Sequence, residues 1–516
     1  MADTCDLAAR PPAPIPADPS GDAVPRRAAG SIDAAGSSRS RIMGAGGLAL
    51  ARIAAQALQF GLFLYAARVL TTADFGVFSL AFAIIVGLSV VAEAGWREWV
   101  ICAEDAALVD EAGAAALVTG GVIALAGLAL IGLGQRLLLN PGLLMVAALL
   151  LPWVVARPLV CVQIGMLTRT GRLTHLAVVQ WLAEAAGFVA GIALLHKGAG
   201  LAALAWAKLA LAAVELGGYT LGVRRLPMAR PARAHWIAMT RFSHHILSAR
   251  LLAYFQGNLT TLVIGTVFAP GLVGIYRAAM RLGGTAQEVI REPARAVGWS
   301  WLRAALDQDG GSHGLRFAQA AQQFLDITIT LGTALFLLLA LESGAIVRLM
   351  LGARWGDAAP VLLLLALALI VRLPQVLAEP LFPLVGKPWL TRRLALMIGG
   401  IALVCFLVAL RFGLVMVALG ELVAALVTLG PLLWLLARHG GLRAMAMIRV
   451  ISLALIASLA TVALWLILPG AADAGGLHAL LVLVRNGLAL LAAHTATHLI
   501  VRRLIPAASS STETPR

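Results

Sequence analysis

The sequence is divided into long apolar segments separated by short polar ones, and this division constrains the fold more than any single motif. A helix needs about 20 apolar residues to cross a bilayer. Hydrophobic residues make up 60% of the chain and charged residues 13%, with a mean hydropathy of +0.91. We predict an all-α polytopic membrane protein with about fourteen spans. They lie at 42–67, 76–97, 112–133, 143–166, 175–195, 201–222, 243–267, 275–297, 318–341, 359–385, 394–411, 414–437, 450–468 and 479–501.

The basic residues are distributed unevenly between the loops. If the N-terminus lies inside the cell, the inner loops hold most of the Arg and Lys residues, as at 224–241 and 387–393. Cytoplasmic loops are enriched in these residues, so we predict that both termini are cytoplasmic. The net charge of +15 therefore reflects membrane topology. We expect no nucleic-acid partner, because the basic residues form no separate domain.

A short pattern between the first two segments recurs later in the chain. Residues 70–81, LTTADFGVFSLA, return at 268–279 as FAPGLVGIYRAA, with Gly76 matching Gly274 at an offset of 198 residues. Each copy closes a helical hairpin, so we predict two related six-helix bundles with a binding site at their seam. The predicted divisions are a disordered cytoplasmic tail at 1–40, lobes at 41–223 and 243–440, a basic linker at 224–242, two extra transmembrane helices at 441–504 and a tail at 505–516.

The eighth segment carries its charged residues along one side. At 100° per residue, seven residues fall within an arc of about 100°: Arg277, Arg281, Gly284, Glu288, Arg291, Glu292 and Arg295. Charges in a spanning helix avoid lipid and face water or opposite charges inside the bundle. We interpret Arg277 and Arg281 as cavity residues. The last three residues of the row fit local ion pairs at the cytoplasmic end of the helix.

Polar stripes also occur on the first, second and seventh segments. Arg52, Gln56 and Gln59 share one face of the first segment. A substrate contact and an ion pair with Glu93 of the second segment explain Arg52 equally well. On the seventh segment, Arg250 begins a face that continues with Tyr254, Gly257 and Thr261. These segments belong to the two hairpins joined by the repeated turn, so together they predict a polar, net cationic cavity between the lobes.

Other ionisable residues lie in apolar surroundings. Lys208 and Glu215 are two turns apart on the sixth segment, which favours an internal pair. Glu93, Asp326 and Glu379 are candidates for binding a coupling proton or cation. A role at a helix end or an interface explains the isolated acids as well.

No motif for enzymatic chemistry or for a cofactor is present. The chain has no nucleotide-binding glycine loop and no nucleophile elbow. His494 and His498 form the motif HTATH without the third ligand and the glutamate that a zinc protease needs. We predict a transporter without catalytic residues, metal or cofactor. Guanidinium groups stay charged and bind oxyanions bidentately, so the cavity predicts an anionic substrate moved by rocking of the lobes.

Residues 42–440 resemble the bacterial polysaccharide and O-antigen flippases of the multidrug, oligosaccharidyl-lipid and polysaccharide exporter superfamily. The resemblance is clearest in ALARIAAQALQFGLFLYAARVLTTADFGVFSLAFAI, NLTTLVIGTVFAPGLVGIYRAAMRL and LMLGARWGDAAPVLLLLALALIVRLPQVLAEPLFPLVGKPWLTRR. It implies an inner-membrane protein that transfers a polyprenyl-diphosphate-linked oligosaccharide to the outer leaflet. It also implies that Arg52 and Arg281 contact the diphosphate. Many relatives carry Asp in the seventh segment where this chain has Asn258 to Thr261, so the resemblance does not imply acid-dependent ion coupling at that position.

The same sequence features also fit other functions. A cation-coupled multidrug exporter or a peptidoglycan-precursor flippase would use the same fold. An integral-membrane glycosyltransferase or polymerase would need catalytic residues on a large outer loop, and the predicted outer loops are short. The expected partners are the lipid-linked oligosaccharide, membrane lipids and the polymerase and export machinery.

Overall fold

The computed structural model describes residues 54–93, 95–103, 106–137, 139–224, 227–310, 314–468 and 476–504. Within these ranges the secondary structure is helical and contains no strand. The predicted tails at 1–40 and 505–516 and the predicted cavity residue Arg52 lie outside the described residues.

The N-terminal lobe consists of helices α1 to α7. They are α1 at 54–69, α2 at Thr72–Glu93, α3 at Trp96–Cys102, α4 at Ala106–Arg136, α5 at Pro141–Arg169, α6 at Leu173–His196 and α7 at Ala202–Val223. The second predicted span contains two helices, α2 and α3, and Gly95 before α3 adopts a left-handed conformation with φ of 83°, which a continuous α-helix does not contain. Helix α5 begins sharply, since the Asn140 side chain accepts hydrogen bonds from the backbone of Gly142 and Leu143 and Pro141 occupies the first helical position.

The second lobe and the C-terminal pair of helices follow. They are α8 at Arg233–Val267, α9 at Pro270–Gln308, α10 at Leu315–Leu341, α11 at Ser343–Met350, α12 at Ala358–Arg372, α13 at Gln375–Leu384, α14 at Trp389–Ala409, α15 at Leu414–Gly440, α16 at Ala444–Ile467 and α17 at Gly476–Leu504. Pro374 separates α12 from α13, because proline cannot donate the backbone hydrogen bond that would continue the helix. Helix α8 begins at Arg233, so the second half of the predicted linker at 224–242 is helical.

Eleven spans in the described ranges are long and apolar enough to cross a membrane. They confirm a polytopic, all-α membrane fold and coincide with eleven of the predicted segments. The other three predicted segments correspond to α1, of which 54–69 is described, and to the more polar helices α8 and α9. The total of fourteen spans therefore stays a prediction.

The two lobes contact each other where α1 turns into α2 and α8 turns into α9, which we call the turn end. A Cβ atom built on Gly76 would lie 1.8 Å from the Pro270 carbonyl oxygen, and one built on Gly274 would lie 2.1 Å from the Thr72 carbonyl oxygen. Only glycine permits this approach of α2 to α9. The contact is reciprocal and involves the two glycines that the internal repeat matches.

A buried tryptophan completes the contact at the turn end. The Trp355 indole nitrogen donates a hydrogen bond of 2.8 Å to the Ala67 carbonyl oxygen. The same ring packs edge-on against Phe75, with ring centroids 5.6 Å apart. Arg354 donates to the Leu70 carbonyl oxygen at 3.1 Å. Side chains of both lobes therefore share one hydrophobic core at this end.

The opposite end of the helices, which we call the linker end, contains polar contacts between the segment that enters α8 and the N-terminal lobe. The Ala229 backbone donates to the Asp110 carbonyl oxygen at 3.0 Å. His235 Nδ1 lies 2.9 Å from a Glu111 carboxylate oxygen. The lobes are thus in contact at both ends, and at the linker end Met239 of α8 also belongs to an apolar cluster with Trp96 and Val100.

Candidate functional site

A cavity of about 200 Å³ lies between the lobes near the turn end. Helices α1, α2, α6 and α7 form one side of it, and α9 contributes Arg277 and Arg281 from the other lobe. The polar stripe of α1 contributes Gln59 to the lining. The cavity is therefore at the seam that the repeat predicts.

Three cationic side chains line the cavity: Lys208, Arg277 and Arg281. Arg277 donates a hydrogen bond of 3.1 Å to the Thr261 hydroxyl group. The Lys208 ammonium group lies 5.7 Å from the centre of the Phe82 ring, a cation-π geometry. Within the described ranges, no carboxylate is within ion-pair distance of any of the three.

One carboxylate, that of Glu184, is among the residues that line the cavity. The Gln59 amide group donates to it at 2.6 Å, and Arg281 donates to the Gln59 amide oxygen at 3.4 Å. Gln59 thus connects the arginine of one lobe to the acid of the other. Three cations and one acid give the lining a net positive charge.

Aromatic rings form much of the remaining wall: Phe63, Phe75, Phe78, Phe82 and Phe188. The rings of Phe78 and Phe82 are stacked, with centroids 5.7 Å apart. An unpaired Lys or Arg at the centre of a spanning helix costs about 2.5–3.5 kcal/mol on insertion scales. A cationic cavity with apolar walls is therefore costly to maintain and suits an anion that supplies the missing negative charge.

A second set of charges is fully paired and lies towards the linker end. Arg157 of α5 contacts Glu93 at 2.9 Å and Glu215 at 3.2 Å. Arg250 of α8 reaches across the lobe interface to Glu93 at 3.5 Å and to Glu98 at 2.8 Å. This network joins four helices of the first lobe, α2, α3, α5 and α7, to the first helix of the second.

Comparison with known proteins identifies the family of the chain. The family model described as "Polysaccharide biosynthesis protein" matches residues 66–360, which is more than half of the chain. The chain belongs to the polysaccharide biosynthesis protein family. This membership confirms the resemblance drawn from the sequence. No curated protein matches the chain at a significant level.

Solved structures share the fold of this chain. "Lipid II flippase MurJ, inward closed conformation" aligns with a TM-score of 0.67 at 12% identity, covering 90% of this chain and 100% of that one. An inward-facing multidrug resistance MATE family transporter of the MOP superfamily aligns with a TM-score of 0.55 at 18% identity, covering 74% and 94%. At these identities the likeness establishes the fold.

The structure brings together only part of the predicted site of this family member. Gln59, Arg277 and Arg281 line the cavity, whereas Gln56 is exposed and is not part of the lining. Arg250 lies in the ion-pair network, because Glu93 and Glu98 hold its guanidinium group.

The candidate coupling acids are all paired. Glu93 contacts two arginines, and Glu379 accepts a hydrogen bond of 2.8 Å from Arg291. Asp326 contacts His498 at 3.0 Å and Arg502 at 2.6 Å. Their roles in coupling therefore stay predictions.

Sequence reasoning missed Glu184 and misinterpreted Lys208. Lys208 faces the cavity, and Glu215 pairs with Arg157 instead, so the predicted internal pair was wrong. The missed signal was Arg157, a charged residue within the apolar helix α5. In the structure the Arg157 guanidinium group lies 3.2 Å from the Glu215 carboxylate and is its partner in place of Lys208.

Proposed function

We propose that this protein is a flippase that moves a polyprenyl-diphosphate-linked oligosaccharide from the cytoplasmic to the outer leaflet of the bacterial inner membrane. The product would serve exopolysaccharide, capsule or O-antigen assembly. The observation that carries the proposal is the cavity between the lobes, in which Lys208, Arg277 and Arg281 lack carboxylate partners among the described residues. Family membership supports the polysaccharide pathway.

The chemistry of the cavity suits a diphosphate. Arginine binds phosphate oxygens in a bidentate manner and stays charged in a low-dielectric setting. Arg277 and Arg281 come from one lobe and Lys208 from the other, so one anion would contact both lobes. At about 200 Å³ the cavity is smaller than the usual 300–1,000 Å³ of a ligand site. The lobes would therefore have to separate to admit the oligosaccharide, in keeping with alternating access.

The alternatives fit the cavity less well. A cationic drug would be repelled by three cations that face one acid, which disfavours a multidrug exporter. A peptidoglycan-precursor flippase is the second candidate, favoured by the fold likeness to the structure described as lipid II flippase MurJ. A glycosyltransferase is disfavoured because the site lies between spanning helices and its lining offers one carboxylate.

The deciding measurement is mass spectrometry of lipids extracted from cells that lack the protein, with polymer output and drug sensitivity recorded alongside. Accumulation of a diphosphate-linked oligosaccharide with loss of surface polymer is expected. Accumulation of a peptidoglycan precursor would assign the second candidate. Unchanged lipid intermediates with increased drug sensitivity would refute both flippase assignments.

Variants connect the activity to the cavity. Arg281→Ala and Arg277→Ala should abolish polymer output while the amount of protein in the membrane stays normal. Arg295→Ala is the matched control, because Arg295 lies on the same helix but pairs with Glu292 at 2.9 Å outside the cavity. Loss of the protein itself in the two cavity variants would indicate a structural role for these arginines.

A further inference from the structure

A polar cluster outside the cavity lies where the last helix packs on α10. Asp326 of α10 contacts two residues of α17, His498 through Oδ1 at 3.0 Å and Arg502 through Oδ2 at 2.6 Å. His498 is 1% exposed and Asp326 is 6% exposed. The Arg502 side chain is half exposed, near the end of α17. The cluster is thus buried and has one polar side chain that reaches its surface.

The hydrogen bonds determine which nitrogen of His498 carries the proton in the neutral ring. The Thr330 hydroxyl group donates its proton to the Asp326 carbonyl oxygen at 2.7 Å, and its oxygen lies 3.1 Å from His498 Nε2. The hydroxyl proton is already used, and the Asp326 carboxylate is an acceptor, so Nε2 must be the donor. His498 Nδ1 is then the basic nitrogen, and it is buried without a hydrogen-bond partner among the described residues.

His494, one turn earlier on α17, repeats this arrangement. The Thr461 hydroxyl group of α16 donates to the Ala457 carbonyl oxygen at 2.7 Å, so its oxygen accepts from His494 Nδ1 at 3.4 Å. The basic nitrogen of His494 is therefore Nε2, which is also buried without a partner in the described part of the chain. Two neighbouring imidazoles thus each present an unpaired basic nitrogen in an apolar interior.

We propose that His498, together with Asp326, is a proton-binding site that couples transport to the proton gradient, an inference that rests on the proposed function. A proton that binds at Nδ1 makes the ring an imidazolium beside the Asp326 carboxylate. In the described part of the chain, the charged or titratable groups linked to this pair are Arg502 and His494 on α17 and Arg449 of α16, which donates to the Arg502 carbonyl oxygen. Arg502 balances Asp326 when the ring is neutral, so each proton adds one positive charge where α17 meets α10.

Proton binding can be measured without transport. We would label the full-length purified protein with ¹³C at the histidine Cε1 atoms and record NMR spectra between about pH 5 and 8, the range in which histidine titrates. His498→Gln assigns the His498 signal, since glutamine retains the donor to Asp326 but cannot bind the proton. A reversible movement of that signal with pH is expected. A signal fixed throughout this range would overturn the proposal, whatever the lipid assay shows.

The second measurement is polymer output in cells with and without a protonophore. His498→Gln is expected to lose the sensitivity to the collapsed gradient that the unmodified protein shows. The matched control is His196→Gln, since His196 is an exposed histidine at the end of α6. If His498→Gln fails to reach the membrane, Asp326→Asn replaces it in both measurements. Wild-type sensitivity in the variant would overturn the role in coupling. Failure of the proposed flippase function would be seen separately, as unchanged lipid intermediates in cells that lack the protein.

Discussion

The close contact of Gly76 with α9 gives the most direct test of how the lobes move. A methyl group at position 76 would lie 1.8 Å from the Pro270 carbonyl oxygen and 2.9 Å from the Gly274 nitrogen. Both are backbone atoms, so no side chain can rotate away. Atoms in contact normally lie about 3.5 Å apart, and α2 and α9 would therefore have to separate by roughly 1–2 Å at the turn end.

The size of the effect follows from this clash. Overpacking a well-packed site costs about 1–3 kcal/mol. If Gly76→Ala applies this cost only to the state that is closed at the turn end, the open state becomes about 5 to 150 times more populated. The hydrogen bond from Trp355 to Ala67 and the Arg354 contact with Leu70 would be lost at the same time.

Cysteine accessibility measures this change. In a background with the four native cysteines replaced, Ser79→Cys places a thiol on the cavity wall, where Ser79 is 6% exposed. Gly76→Ala should raise the rate at which a membrane-impermeant maleimide, added to intact cells, labels this thiol. The control is Gly132→Ala, since a Cβ there meets no atom within 4 Å apart from its chain neighbours and its own helix backbone. Equal labelling rates in the two variants, at normal protein levels, would refute the reasoning.

Three further substitutions separate stability from function. Glu93→Gln removes the acid shared by Arg157 and Arg250, so the free energy of unfolding of the purified protein should fall by up to about 3 kcal/mol and its melting temperature should drop. An unchanged melting temperature would contradict the network. Lys208→Ala should lower polymer output without changing the melting temperature, whereas Lys208→Arg keeps the charge and should retain more output; equal loss in both would count against a charge-based role. A double-mutant cycle on the half-exposed pair of Arg291 and Glu379 should give a coupling energy below about 1 kcal/mol in denaturant unfolding, and a larger value would mean that the pair is effectively buried.

Much of the fold could be predicted because it is recorded in local properties of the sequence. Apolar length predicts the spanning helices, and the recurrence of Gly76 at Gly274 predicts the interface between the lobes, where the two glycines meet. The left-handed conformation of Gly95 was not predicted. A glycine in an apolar run is common, and only the positive φ reveals that this one interrupts the helix.

The site was predicted only in part, because pairing depends on helices that are distant in the sequence. The stripe on α9 contains Arg281, which lines the cavity, and Arg291, which pairs with Glu379 of α13. Periodicity places both on one face and cannot indicate which one meets an acid from another helix. Lys208 illustrates the same limit, since its predicted partner Glu215 is held by Arg157 of α5.

The two contacts between the lobes differ in how easily water can replace them, and this difference predicts which end opens first. At the turn end, separation would expose a shared apolar core and leave the Trp355 indole group without its acceptor. At the linker end, Arg250 and Glu98 are already 29% and 38% exposed, so water can replace their ion pair at a cost of about 0–1 kcal/mol. Met239 of α8 also belongs to an apolar cluster with Trp96 and Val100 at that end, so both ends hold apolar contacts, and we expect the lobes to part first at the linker end because water can replace its ion pairs. Its predicted position on the cytoplasmic side is where a lipid-linked sugar would be loaded, and the cations of the cavity would then be exposed to the substrate before the turn end opens.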